Sequence, residues 1–303
     1  METPYFKVKQ LTDGVYAVIA KPGAGAMSNS GIIDLGKEVL IVDTFTTPDA
    51  AKALKQTAEK LTQKKVKYVF NTHYHGDHTF GNQLFQDAII ISTPETRDLH
   101  IEKNRIGDLE TEKMEMEAYL KQLENRLINE RNSIAKSSVT NQLHEMTKVL
   151  EAIDELKIIP PNHLFEEKLV LEGENRRVEC YCFGGGHTES DAVLYLPEER
   201  ILFAGDLVLE KLHPPIYNSE MFLENLQKLS ELEIELIVTG HGGIVQKGQI
   251  NLLIEYLNHL RKIVLEKEND LSTIRIPTNY ADWLGVDGFK RNVHVVFNEL
   301  KTK

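Results

Sequence analysis

Asn71-Thr72-His73-Tyr74-His75-Gly76-Asp77-His78 places three histidines and an aspartate within six residues. The stretch follows an apolar strand pattern, Val66 to Phe70, and precedes a helical pattern over Thr79 to Phe85. His73 and His75 are two apart, so in an extended loop they reach one cation only if the chain turns. Gly76 supplies the permissive backbone for that turn. Asp77 and His78, past the turn, then face a second position. Neutral imidazole and carboxylate are good ligands for zinc and for other first-row metals. One such histidine alone reads as a structural residue; four ligand-type side chains at this spacing read as a metal site.

Three more positions share one local grammar: apolar strand, glycine, ligand. His187 follows the strand Val178 to Phe183 through Gly184-Gly185-Gly186. Asp206 follows Ile201 to Ala204 through Gly205, and His241 follows Leu236 to Thr239 through Gly240. Each alone is equally what a turn residue or a core histidine looks like. Their repetition is the signal, because ligands at strand ends converge on one rim of a sheet.

The rest of the 303 residues limits what such a site can serve. Lys and Arg total 35 against 46 Asp and Glu, a net charge of −11, which argues against binding a nucleic-acid backbone. No apolar run approaches the roughly 18 residues that a membrane span requires. Met1 to Gly14 lacks the basic cluster and apolar core of a signal peptide. Two cysteines, Cys180 and Cys182, are too few for a disulfide scaffold and read as buried thiols, which fits a reduced, cytoplasmic setting. The expected partner is a small-molecule substrate, with no nucleic acid and no membrane.

Strand patterns fall at Val15 to Ala20, Gly31 to Leu35, Val39 to Asp43, Ala88 to Ser92, Phe165 to Leu171 and Ala192 to Leu196. Helical periodicity marks 48–62, about 219–231, and 248–266. Residues 98–157 differ: they alternate charge with apolar side chains and predict two helices broken near Lys136-Ser137-Ser138. That stretch reads as a solvated helical insertion or as a homodimer contact, its apolar positions needing a partner surface, or else as a lid over a site.

The His-x-His-x-Asp-His segment, Gly-Gly-Gly-His-Thr, Ala-Gly-Asp and Thr-Gly-His-Gly, in this order over 73–241, resemble the metallo-β-lactamase superfamily. The resemblance implies an α/β fold, a four-layer αβ/βα sandwich of two mixed sheets. It also implies a single domain over 1–303 with a helical insertion at about 98–157. Carried over position by position, His73, His75 and His187 would hold one metal. Asp77, His78 and His241 would hold a second, and Asp206 would bridge them.

Seven ligands exceed what one closed structural zinc uses. Metal coordination lowers the pKa of water towards about 7 and polarises a carbonyl or phosphoryl oxygen. The expectation is therefore a dinuclear metallohydrolase with a metal-bridging hydroxide and two divalent ions, zinc first, with iron or manganese as alternatives. Asp77 is the expected catalytic proton handler. True β-lactamases of the superfamily usually carry cysteine or serine where Asp206 stands, so the set looks more like its thioesterases, lactonases and phosphodiesterases. A small ester-like, thioester, lactone or lactam substrate is expected. The rivals are an iron-dependent persulfide dioxygenase, and a non-catalytic protein whose metals only hold the fold. Tyr74, His213 and Tyr217 lie near the motifs and are candidates for shaping the pocket, with packing as the plainer role.

Overall fold

Four antiparallel strands start the chain. Phe6–Thr12 (β1) and Val15–Ala20 (β2) pair around Asp13-Gly14, where Gly14 takes the left-handed turn at φ 69°. Ser30–Asp34 (β3) and Val39–Val42 (β4) follow, buried on both faces apart from the partly exposed Asp34. The chain then crosses through a helix, Pro48–Thr62 (α1), capped by the Thr47 hydroxyl and opened by Pro48. That crossover makes Val66–Phe70 (β5) parallel to β4, and Ile89–Ser92 (β6) and His163–Leu164 (β7) continue the parallel run. These coordinates are a computed structural model, and they describe residues 1–267 and 270–301.

The second sheet begins four residues after the first ends. Lys168–Glu172 (β8), Arg177–Cys182 (β9), Ala192–Leu196 (β10) and Ile201–Phe203 (β11) form an antiparallel meander. Leu236–Val238 (β12) pairs parallel to β11, and Ile244–Val245 (β13) closes the edge. The expected strand over Phe165 to Leu171 is thus the point where the chain leaves one sheet for the other.

The two sheets face each other across a shared core that includes Ile33, Leu40 and Phe70 from the first and Val178, Leu194 and Phe203 from the second. Each such side chain taken fully from water stabilises by about 1.5–3 kcal/mol. Outside the first sheet, Ala51, Leu54 and Ala58 of α1 cover Ile41 and Ile90. Outside the second lie Ser219–Glu231 (α6), Gly248–Glu266 (α7) and Val286–Lys301 (α8). The layers are helix, sheet, sheet, helix: the α/β sandwich of two mixed sheets that the motifs imply. Cys180 and Cys182 are free thiols, and burial raises the pKa of both, which keeps them poor nucleophiles. No helix among the described residues is long and apolar enough to cross a membrane.

Local structure departs from the sequence reading in several places, beginning with β1, β7 and β13, which lay outside the expected strands. The helix expected at Thr79 to Phe85 is one short turn, Gly76–Thr79 (α2), followed by a 3-10 segment, Phe80–Phe85. Between β6 and β7 lie three helices: Pro94–Lys103 (α3), Leu109–Asn129 (α4) and Ser133–Ala152 (α5). The break between the last two falls at 130–132, not at Lys136-Ser137-Ser138. The Asn132 side chain accepts from the Ile134 and Ala135 amides and so starts the helix there, while Ser138 bonds back to the Ile134 carbonyl inside it. The final helix, α8, was not among the expected elements, although Phe289, Val293 and Val296 recur at helical spacing and are buried.

Candidate metal centre

All seven ligand-type residues meet at one end of the sandwich. The loop after β5 delivers His73, His75, Asp77 and His78. The loops after β9, β11 and β12 deliver His187, Asp206 and His241. The side chains fall into two groups that could each hold an ion: His73, His75, His187 and Asp206 in one, and Asp77, His78 and His241 in the other. In the first, His75 Nδ1 lies 3.1 Å from His73 Nε2 and 3.2 Å from His187 Nε2. In the second, Asp77 Oδ2 lies 3.1 Å from His241 Nε2 and 3.6 Å from His78 Nε2. Asp206 touches both groups, with its oxygens 3.2 Å from His78, 3.3 Å from His187 and 3.4 Å from His241.

The hydrogen-bond partners assign the tautomers. Thr72 Oγ1 donates to Asp43 Oδ2, so it accepts from His73 Nδ1. Asp43 Oδ2 also accepts from His78 Nδ1 at 2.7 Å, and the Pro215 carbonyl accepts from His187 Nδ1 at 3.0 Å. Three imidazoles are thereby anchored from behind and present the Nε2 lone pair inward, which is how a ligating histidine is oriented. Asp191 fixes the His187 turn by accepting from the amides of His187 and Thr188 and from the Thr188 hydroxyl. Its burial pushes that carboxyl up to about 6.

Electrostatics divide the groups. Burial, with repulsion from neighbouring histidines, lowers the pKa of His73 and His187, and burial lowers that of His75, so the first group is held neutral. Burial also opposes charge on His241, but Asp206 and Asp77 outweigh it and push that imidazole up to about 10. His78 is raised in the same way by Asp77, Asp43 and Asp206. The carboxylates of Asp77 and Asp206 thus favour positive charge at this half of the site. His78 Nε2 and Asp206 Oδ1 are buried with no hydrogen-bond partner, and both point into the centre. Buried polar atoms are rarely left so; a divalent ion suits this donor set.

Glycine is required at one position by contact. A Cβ on Gly240 would lie 1.9 Å from Asp206 Oδ1. The glycine that precedes His241 is therefore what lets Asp206 sit between the groups.

Of the residues singled out for shaping the pocket, Tyr74 sets its ring against His75 at 4.8 Å between centroids, and Tyr217 is largely exposed. Burial and the neighbouring Glu189 push the Tyr74 hydroxyl up to about 12. His213 does not join the site. It is buried among Tyr256, Trp283 and Phe289, with Nδ1 3.1 Å from the Tyr256 hydroxyl. Sequence reasoning missed Asp43, whose only signal was an aspartate directly ending an apolar strand. It also missed Ser28, Asn29, Thr72 and Asp191, which carried no distinguishing signal.

Comparison with known proteins gives the same fold. A family model described as the metallo-beta-lactamase superfamily matches residues 23–241. Beta-lactamase-like protein 2 homolog of Caenorhabditis elegans is 24% identical over 97% of this chain and 86% of its own length. Metallo-beta-lactamase type 2 of Bacillus cereus is 26% identical over 86% of this chain and 84% of its own. Among solved structures, a metallo-beta-lactamase from Pontibacter korlensis superposes with a TM-score of 0.60 at 16% identity, covering 84% of this chain and 99% of that one.

Proposed function

Since this chain belongs to the metallo-beta-lactamase superfamily, we propose that it is a dinuclear metal-dependent hydrolase acting on a small ester-like, thioester, lactone or lactam substrate. The observation that carries the reading is the position of Asp206, within 3.4 Å of imidazole nitrogens from both ligand groups. A carboxylate so placed suits two ions better than one. His73, His75 and His187 would hold the first ion and Asp77, His78 and His241 the second, with Asp206 shared. Zinc fits the nitrogen-rich set best; iron and manganese accept the same donors.

Two divalent ions, when bound, supply a water acidified to near neutral pH and a Lewis acid for the carbonyl being cut. The protein's own groups do the rest. Asp77 is the more open of the two central carboxylates, with 17% of its side chain exposed against 6% for Asp206. Its Oδ2 is our candidate for taking up the nucleophile's proton and passing it towards the leaving group. Asp206, enclosed by three histidines, stays ionised because those neighbours hold its pKa well below the usual carboxylate range. Asp43, Thr72 and the Pro215 carbonyl keep three imidazoles from rotating, so the donors need no rearrangement during reaction.

Metal analysis of the purified protein, run beside thioester, lactone, phosphodiester and β-lactam substrates, tests this reading. About two ions per chain with turnover of one ester-like, thioester, lactone or lactam class supports it. One iron per chain with oxygen uptake on a persulfide overturns it in favour of an oxygenase. Two bound ions with no turnover of any substrate would leave a purely structural metal site.

A further inference from the structure

We propose that Glu145, on α5 in the helical stretch between β6 and β7, is a positioning residue for the Asp77 and His241 half of the centre. The inference rests on the metal-centre reading above. Glu145 is only 9% exposed, and a carboxylate removed from water needs donors. It takes them from the loop that joins β2 to β3: the Gly23 amide donates to Oε1 at 2.6 Å and the Gly25 amide to Oε2 at 3.3 Å. Both glycines have positive φ, 69° and 91°, which turns their amides towards the helix. The helix lies directly on the loop, since a Cβ on Gly23 would come within 2.7 Å of His144 Cβ. With both oxygens engaged by backbone, Glu145 acts through the loop and not on substrate.

The other end of the same loop holds both segments that carry the second group of ligands. Ser28 Oγ donates to the Asp77 carbonyl at 2.6 Å. The Asn29 amide donates to the Gly240 carbonyl at 2.7 Å, and its side chain donates to the carbonyls of Thr239 and Gly242 at 2.9 and 3.0 Å. Residues 21–29 therefore connect a buried carboxylate on α5 to the backbone on either side of the second ion's position. The helical pair is also fastened on its far side, where Ser138 Oγ accepts from the Gly285 amide and Arg126 pairs with Asp287. The helical pair is thus tied to the rest of the fold at both ends.

The test compares zinc-loaded full-length protein with its Glu145→Ala and Glu145→Gln variants, the second keeping one acceptor and the packing. Two readouts are taken: amide hydrogen exchange, and zinc affinity by chelator competition. In Glu145→Ala, exchange over 21–29 and over 239–243 should rise together by at least tenfold, with Glu145→Gln in between. One of the two zinc ions should loosen by at least tenfold while the other is unchanged. Faster exchange over 21–25 alone, with 239–243 and both zinc affinities as in the wild type, overturns the proposal and leaves Glu145 a local clamp. If Glu145→Ala does not fold, Glu145→Gln carries the same comparison. A wild-type count of one zinc would count against the dinuclear reading, while the exchange data would still decide the mechanical link.

Discussion

Asp43 and His78 form a buried pair in which one carboxylate oxygen, 2.7 Å from Nδ1, holds the imidazole from behind while Nε2 faces the metal position. The same oxygen accepts from the Thr72 hydroxyl, and its twin accepts from the Thr72 amide, so one side chain orients His78 directly and His73 through Thr72. Asp43→Asn removes the charge and puts an NH2 group where an oxygen accepts. Partners of this kind are worth about 10- to 100-fold in metal affinity. We expect a loss of that size at the second site, read by chelator competition; unchanged affinity in a folded variant would count against the assignment.

Gly240→Ala tests a steric claim. The added methyl would overlap Asp206 Oδ1, with the Gly205 backbone just behind it, so neither can yield cheaply. The variant should bind less metal and lose about 1–3 kcal/mol of stability, as overpacked sites do. Gly248→Ala is the control, because nothing lies within 4 Å of the position where its Cβ would go. Comparable thermal melting and metal content in the two variants would sink the claim.

Asp206→Ala and His75→Ala remove one member each from the first group, the former also from the contact with the second. Both should abolish hydrolysis and lower the metal content per chain. Wild-type turnover by either variant would show that the chemistry lies elsewhere.

Stability should fall in acid because of a residue outside the centre. Burial among aromatic rings lowers the His213 pKa to about 4, from 6.5 when exposed. Between these values the unfolded chain takes up a proton that the folded chain refuses, so stability rises with pH across this window. The loss begins as pH drops below 6.5 and is complete below about 4, with an upper size of about 3 kcal/mol. His213→Phe fills the same aromatic surroundings without a titrating group. Its denaturation midpoints should therefore show a shallower slope over this window than those of the wild type, and parallel slopes would contradict the argument.

The candidate donors were legible in the sequence because their pattern is local: a histidine or aspartate repeatedly follows an apolar strand and a glycine, and it is the repetition that singles them out. The sandwich was legible through the same motifs and through apolar strands such as Val39–Val42 and Ala192–Leu196, buried on both faces. The supporting residues were not. Asp43 meets His78 across 35 positions, and Glu145 meets Gly23 across 122, so no spacing rule records either contact. The start of α5 was misplaced for a simpler reason. Ser137 and Ser138 look like a break, but Asn132 offers the stronger cap, and a serine inside a helix can satisfy its hydroxyl on the preceding turn.

The first sheet is built entirely from residues 6–164 and the second from 168–245. On a ribosome, therefore, one slab of the sandwich is synthesised in full before the other begins. The four candidate donors of the first slab leave the tunnel together, within six residues, while the last of the seven, His241 of the second slab, arrives more than 160 positions later. Before the second slab is made, the nascent chain carries only a fragment of the centre, three imidazoles and a carboxylate with no opposing wall. Completion of the centre waits on the docking of the later slab, so the fully enclosed site can exist only in a chain that has been made past residue 241.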